Sequence, residues 1–339
     1  MIWLATLALF AGQNDPPAQE AVHLSNIRQL THDFVRAGEG YFSPDGRQII
    51  FQAEEKGTGN PFYQIFIMDL ATGRYHRVSP GVGRTTCSFF RPDGKKVIFA
   101  SSHADPDARK HQAEEYRRRE EDRANPQRRR YQWDFDRYYD IYEANPDGSR
   151  LKNLTHSPGY DAEGSYSPDG KYIVFCSNRD GNLELYIMDA DGKHVRQLTH
   201  APHCYNGGPF FSPDGKQVIF RSDRKKKDFL QIYVINADGT GERALTDEPT
   251  RVNWAPYWYK DGKHVIYGSA DYANPATAHN FDLWWLNIET GKKTRITFDP
   301  GADVLPVFSP DGRRLMWTSR RNGLPEAQLF IADFAPPRD

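Results

Sequence analysis

The chain has 339 residues, 38% of them aliphatic, aromatic or Cys, with 44 Lys and Arg against 45 Asp and Glu and a formal net charge of −1. That balance gives no global pull toward nucleic acid or an anionic membrane, and closed all-β folds reach this length as one domain. Cys87, Cys176 and Cys204 are too few, and odd in number, to form a disulfide framework, and they read as free thiols.

Ile2 to Ala11 form a short apolar run followed by the polar stretch Gly12-Gln13-Asn14-Asp15-Pro16-Pro17. The run is too short to cross a bilayer as a helix and matches a signal-peptide core. Residues 1–20 are therefore expected to be a signal peptide and disordered N-terminus, and the protein to be exported, periplasmic or secreted, with no stable membrane insertion.

Ile27-Arg28-Gln29-Leu30-Thr31 comes next and reads as a weak strand standing ahead of the first repeat. Phe42-Ser43-Pro44-Asp45-Gly46-Arg47 is the first of six copies of one phrase. It returns around Asp93, Asp169, Asp214, Asp261 (a worn copy, Tyr259-Lys260-Asp261-Gly262-Lys263) and Asp311, at spacings of 48, 76, 45, 47 and 50 residues. A period in this range marks a repeat architecture. Ser-Pro-Asp-Gly fits a type I turn, with Pro presetting φ and Gly in the left-handed position that closes a bulged hairpin.

Each turn leads into an apolar run, from Ile49-Ile50-Phe51 through Leu315-Met316-Trp317, which suits a strand covered on both faces. A second aromatic-rich strand follows, such as Glu184-Leu185-Tyr186-Ile187-Met188, and then a Gly-ended turn such as Asp191-Gly192. The unit ends in a weak strand carrying Leu-Thr or a variant of it, such as Gln197-Leu198-Thr199.

The unit is thus four short antiparallel strands, and six units predict an all-β six-bladed β-propeller over residues 27–334. The sixth unit stops at Phe334 without a fourth strand. Ile27–Thr31 matches the missing piece, so the N-terminal strand is expected to complete the last blade and close the ring, removing an exposed edge.

The 76-residue spacing comes from an insert in blade two, residues 103–137. Asp105 to Arg130 is almost entirely polar and predicts a charged helix capped by Asp105 or Asp107 and running to about Arg123, before Asn125-Pro126. Glu114 with Arg118, and Glu115 with Arg119, are helix-spaced ion pairs. Arg118, Arg119, Arg128, Arg129 and Arg130 are candidate partner contacts, with the helix acting as a lid or docking arm. A longer loop, Asp271 to Phe281, carries His279 and Asn280 on the same face.

The repeats, from Phe/Tyr-Ser-Pro-Asp-Gly-Lys through Leu-Tyr-Ile-Met-Asp to Leu-Thr, resemble the TolB-like propeller family, and Tyr166 through Thr199 is an especially close copy. The namesake of that family is a periplasmic component of the Tol–Pal envelope system with an α/β domain ahead of its propeller. The resemblance implies an exported propeller, expected here to stand alone because its first strand begins near Ile27. It also implies an architecture shared with sugar-acid lyases and prolyl-oligopeptidase-type enzymes, and fold alone does not choose a function among these.

Loops leading into each blade place Arg36, Glu39, Arg84, Asp161, Glu163, His203, Asn206, Asn253 and Asp303 near the mouth of the central channel, as candidate ligand-binding residues. No Gly-x-Ser-x-Gly elbow, His-Glu-x-x-His helix or paired Cys-x-x-Cys motif occurs. No catalytic or metal-binding set and no cofactor is predicted, although the channel leaves room for a cation. The expected function is a monomeric module that binds a protein or peptide and no nucleic acid. The alternative is a lyase or hydrolase acting on a polar carbohydrate or peptide, with His203, Glu163 and Asp161 as acid–base groups.

Overall fold

The computed structural model describes residues 16–124, 135–273, 275 and 279–338. A short helix α1 (Pro16–Glu20) and strand β1 (Leu24–Gln29) precede the first blade, β2 (Phe34–Phe42), β3 (Gln48–Glu55), β4 (Gln64–Asp69) and β5 (Tyr75–Arg77). Blade two is β6 (Thr85–Phe90), β7 (Val97–Ser101), β8 (Asp140–Ala144) and β9 (Lys152–Asn153), with helix α2 (Ala108–Ala124) between its second and third strands. Blade three is β10 (Asp161–Tyr166), β11 (Tyr172–Ser177), β12 (Glu184–Asp189) and β13 (Arg196–Gln197). Blade four is β14 (Asn206–Phe211), β15 (Gln217–Ser222), β16 (Gln231–Asn236) and β17 (Arg243–Ala244). Blade five is β18 (Arg251–Trp258), β19 (His264–Asp271), β20 (Asp282–Asn287) and β21 (Lys293–Arg295), and blade six holds β22 (Asp303–Phe308), β23 (Arg314–Ser319) and β24 (Gln328–Phe334).

These strands make six four-stranded sheets, and the sixth runs β1-β24-β23-β22. The N-terminal strand therefore closes the ring. Gln29 pairs with Phe330, and Leu30 donates its backbone N–H to the Leu329 carbonyl at 2.7 Å. The strand lies a little earlier than the sequence suggests, at Leu24–Gln29, because the Leu-Thr phrase has a different task from sheet pairing.

In blade three the Thr199 hydroxyl donates to Glu184 at 2.6 Å and accepts the Leu185 N–H at 2.9 Å. Thr31 does the same for blade six, donating to Gln328 at 2.7 Å and accepting the Leu329 N–H at 2.9 Å. The residue before each hydroxyl is apolar, and Val78, Leu154, Leu198 and Ile296 are buried. So the pair anchors the outer edge of a blade just after its last strand has ended.

The repeated turns hold as their chemistry predicts. Ser43 donates to Asp45 at 2.6 Å and accepts the Gln48 N–H at 2.9 Å, Asp45 accepts the Arg47 N–H, and Gly46 sits at φ 68°. The second strand of each blade is sandwiched between neighbours, which explains its unbroken apolar run. Phe51, Phe99, Phe175, Phe220, Tyr267 and Trp317, one per blade, are at most 1% exposed, and burying each such side chain contributes roughly 1.5–3 kcal/mol.

Glu20, at the end of the stretch expected to be leader and N-terminal tail, contacts the ring. Glu20 accepts the Phe298 N–H at 2.9 Å and an Arg321 guanidinium hydrogen bond at 3.0 Å. The apolar run Ile2–Ala11 and the arginines Arg128, Arg129 and Arg130 lie outside the described residues. Among the described residues, no helix is long and apolar enough to cross a membrane.

Candidate binding funnel

Every first strand carries a β-bulge at the same place, and the bulged residue there takes a left-handed backbone. These residues are Glu39 (φ 47°), Cys87 (53°), Glu163 (60°), Gly208 (58°), Ala255 (52°) and Leu305 (55°). For residues other than Gly that conformation costs about 1–2 kcal/mol each. A bulge re-aims its side chain out of the sheet's alternation, and all six residues line one central cavity of about 940 Å³.

Two residues further along each first strand stand Tyr41, Phe89, Ser165, Phe210, Tyr257 and Val307. Tyr41, on blade one, has its ring 5.2 Å from Phe89 of blade two, 5.6 Å from Phe210 of blade four and 6.3 Å from Tyr257 of blade five. Rings from opposite blades can touch only at the axis, so they plug the channel below the bulges. The cavity is thus a blind funnel, opening on the face away from the Pro-Asp-Gly turns.

Helix α2 lies over the mouth, and Glu115, Arg118, Arg119 and Asp122 line the same cavity. The helix is polar nearly all round, with only Ala108 and Gln112 buried. Arg119 ties it to blade one, donating to Glu54 at 2.9 and 3.0 Å and to the Pro61 carbonyl at 2.7 Å. Glu54 also accepts Arg36 at 2.9 Å, and Arg84 pairs with Asp136 at 2.9 Å. Arg36 and Arg84 stack over Tyr63 and Phe62. The mouth is therefore rich in arginine yet balanced in charge.

Deeper in the funnel, Glu163 is saturated with donors. Arg221 reaches it at 2.8 Å, Tyr205 at 2.8 Å, Tyr160 at 3.0 Å and the Gly208 N–H at 2.5 Å. Arg221 comes from the second strand of blade four and crosses the space at Gly208, where any Cβ would collide with its guanidinium. Burial works against the Arg221 charge, but Tyr205 and Glu163 beside it outweigh that and hold it protonated.

Glu39 is different. It faces the cavity, and its carboxyl takes the Cys87 thiol, a long Tyr41 hydroxyl contact at 3.3 Å and one from Thr86 at 3.5 Å, with no cation among its partners. Burial deep in the molecule pushes its pKa up to about 7; Cys87, Arg221 and Tyr41 oppose the rise, and the Glu163 charge adds to it. Burial also raises the Cys87 thiol, so this cysteine is no ready nucleophile.

Of the residues singled out from the sequence, Arg36, Glu39, Arg84, Glu163, Arg118 and Arg119 share this cavity. Asp161, His203, Asn206, Asn253 and Asp303 do not line it. Asp161 is bound to Arg179 at 3.0 Å, Asn206 to Arg224 at 2.6 Å and Asp303 to Arg321 at 2.8 Å. Asn253 is held by Gln231, Glu248 and Ser269.

His203 is exposed, on a left-handed residue whose N–H donates to Asn182. His203, Glu163 and Asp161 thus do not converge as an acid–base set. His279 takes a ring hydrogen bond with the Tyr272 hydroxyl at 2.8 Å. Among the described residues no three His, Cys, Asp or Glu side chains gather to hold a metal.

The sequence reading missed Arg221, Tyr41 and Tyr257, which also line the funnel. Arg221 left a signal. It follows the apolar run of blade four, where the other blades carry Gln52, Ala100, Cys176, Gly268 and Thr318, so it is the one charge at that position.

No protein-family model matches the chain. Among curated proteins it is 35% identical over 87 residues to an uncharacterized protein of Agrobacterium fabrum, covering 26% of this chain and 29% of that one. It is 27% identical over 177 residues to a TolB homolog of Chlorobium chlorochromatii, covering 51% and 38%. The chain thus matches well under half the length of either relative.

Among solved structures, TolB from Acinetobacter baumannii superposes with a TM-score of 0.55 at 19% identity, covering 91% of this chain and 66% of that one. An oligogalacturonate lyase in complex with manganese gives 0.55 at 18%, covering 91% and 79%. At such identities the similarity speaks for fold alone. Repeat phrase, blade count, strand order and these matches agree: the chain is a TolB-like six-bladed β-propeller.

Proposed function

We propose that the protein is a periplasmic or secreted binding module that admits a segment of a protein or peptide into the funnel, beneath α2. One observation carries this reading: a blind cavity of about 940 Å³, walled by aromatic and charged side chains and covered by a tethered polar helix. Ligand sites commonly have this size and this mix of apolar wall and few polar groups. The apolar run Ile2–Ala11 and the similarity to TolB proteins support export. The balanced charge at the mouth favours a polypeptide over nucleic acid, and the molecule is proposed to work as a single copy. The arginines Arg118 and Arg119 of α2, with Arg128, Arg129 and Arg130 after it, would extend the contact surface.

The test is selection of displayed twelve-residue peptides on the wild-type protein, on Leu305→Trp, which fills the funnel from a position already left-handed, and on Arg119→Ala. Peptides are expected to be enriched on the wild type and lost on Leu305→Trp, with Arg119→Ala changing the rates of capture. Enrichment that Leu305→Trp leaves intact would place docking elsewhere and overturn the proposal, as would the absence of any enriched peptide.

A further inference from the structure

Two carboxylates project into the funnel, and the fold treats them unequally. Glu163 receives Arg221, two tyrosine hydroxyls and a backbone N–H. Glu39 has no ion pair among the described residues. Each nearby cation is engaged with another acid: Arg221 with Glu163, Arg36 and Arg119 with Glu54, and Arg84 with Asp136. Below the ring of bulges lie the faces and edges of Tyr41, Phe210 and Tyr257, which line the same cavity. A carboxylate with neutral donors and no ion-pair partner, above an aromatic floor, suits one kind of guest, a cation small enough to reach the axis.

We infer that the funnel recognises one ammonium or guanidinium group on the peptide it admits, with the Glu39 carboxylate as acceptor and the rings of Tyr41, Phe210 and Tyr257 beneath it. This rests on the peptide-docking reading and adds the side-chain chemistry to it. A lysine or arginine side chain of the guest would supply the partner that the fold itself does not. An acidic guest would meet both Glu39 and Glu163, and a neutral one would leave Glu39 as it stands.

The ionisation of Glu39 gives the site a signature. The groups facing it are Tyr41 on its own strand, Tyr63 just ahead of β4, Cys87 on β6, Glu163 on β10 and Arg221 on β15, while Thr318 on β23 accepts its backbone N–H at 3.0 Å. Arg221 and Glu163 neutralise one another, and burial holds the thiol and the Tyr41 and Tyr63 phenols protonated. Glu39, titrating at about 7, is thus the group that changes charge near neutrality.

A cationic guest binds the ionised form. Below pH 7 a proton must leave Glu39 before the guest can bind, and above it the cost disappears. Affinity therefore rises with pH, by about tenfold between pH 6 and pH 8, and binding releases a proton.

Calorimetric titration with N-acetyl-lysine methylamide, N-acetyl-arginine methylamide and N-acetyl-norleucine methylamide tests this on the wild type, Glu39→Gln and Leu305→Trp. The two cationic probes are expected to bind the wild type at least tenfold tighter than the norleucine probe at pH 8, and to lose about tenfold at pH 6. Glu39→Gln should abolish both the preference and the pH slope, and Leu305→Trp should abolish binding. The pH profile of the wild type tests the inference without any substitution.

Equal binding of lysine and norleucine probes, or a preference that survives Glu39→Gln, overturns it. So does Mn²⁺ binding that requires Glu39 and excludes the lysine probe. If displayed peptides are still lost on Leu305→Trp while the cation preference is absent, peptide docking stands and only the ammonium site falls.

Discussion

At the scale of single residues, the centre of the molecule is governed by one ion pair. Arg221 and Glu163 have side chains 10% and 3% exposed and lie 2.8 Å apart. Removing one member of such a pair leaves the other charged without its partner, which typically costs about 3–5 kcal/mol. Arg221→Ala is therefore expected to destabilise the fold by about that amount in denaturant unfolding. Replacing both, as in Arg221→Met with Glu163→Gln, should recover most of it, because Tyr205 and Tyr160 can still bond the amide. The cycle of two single variants and the double variant isolates the coupling. A double variant no more stable than Arg221→Ala would show that the lost packing over Trp254 and Tyr205, not the stranded carboxylate, sets the cost.

At the scale of elements, α2 buries little of itself, with only Ala108 and Gln112 buried. A helix polar on all sides gains little from burial, and Arg119 latches it to blade one by hydrogen bonds to Glu54 and Pro61. Arg119→Ala is expected to speed amide exchange across residues 112–124 by at least tenfold while leaving exchange in β11 and β15 unchanged. Unchanged exchange in the helix would mean that Asp105 and its bond to His111 at the N-terminal end suffice to hold it.

The charge pattern of this helix was legible in the sequence, since Glu115 and Arg119 stand one turn apart, but its latch was not, because Glu54 is 65 residues away. The blades were legible for a local reason: Ser43, Asp45 and Gly46 specify their turn by bonds within a few residues. The rim was harder. Glu39 and Asp161 both sit just before or within a first strand, yet only Glu39 falls on the bulge that turns it to the axis. Asp161, two residues before its own bulge, is taken by Arg179. A recurrent Ser-x-Arg, seen as Ser177-Asn178-Arg179, Ser222-Asp223-Arg224 and Ser319-Arg320-Arg321, forms these clamps. It would have flagged Asp161, Asn206 and Asp303 as structural partners of arginine.

At the scale of the whole molecule, everything at the axis depends on a ring whose first and last strands are not covalently joined. Strand β1 is held to β24 by backbone pairing, by Thr31 and by Asn26, which donates to Asp333 at 2.6 Å. Its own face is mostly exposed, with Leu24 its one buried side chain. The seam is therefore where opening should begin, and opening exposes the edge of β24.

Ser25 lies directly opposite Asp333 in the antiparallel pair, and such positions stand about 4.5–5.5 Å apart at Cα, within reach of a disulfide. Cysteines introduced as Ser25→Cys and Asp333→Cys should cross-link when oxidised. A closed loop of this length restricts the unfolded chain strongly, so oxidation is expected to add about 2–5 kcal/mol, read as a higher melting temperature than the reduced form of the same variant. The comparison within one variant removes the effect of losing Asp333 itself. If locking the seam leaves the melting temperature unchanged, unfolding starts in another blade, and the ring is not limited by its non-covalent closure.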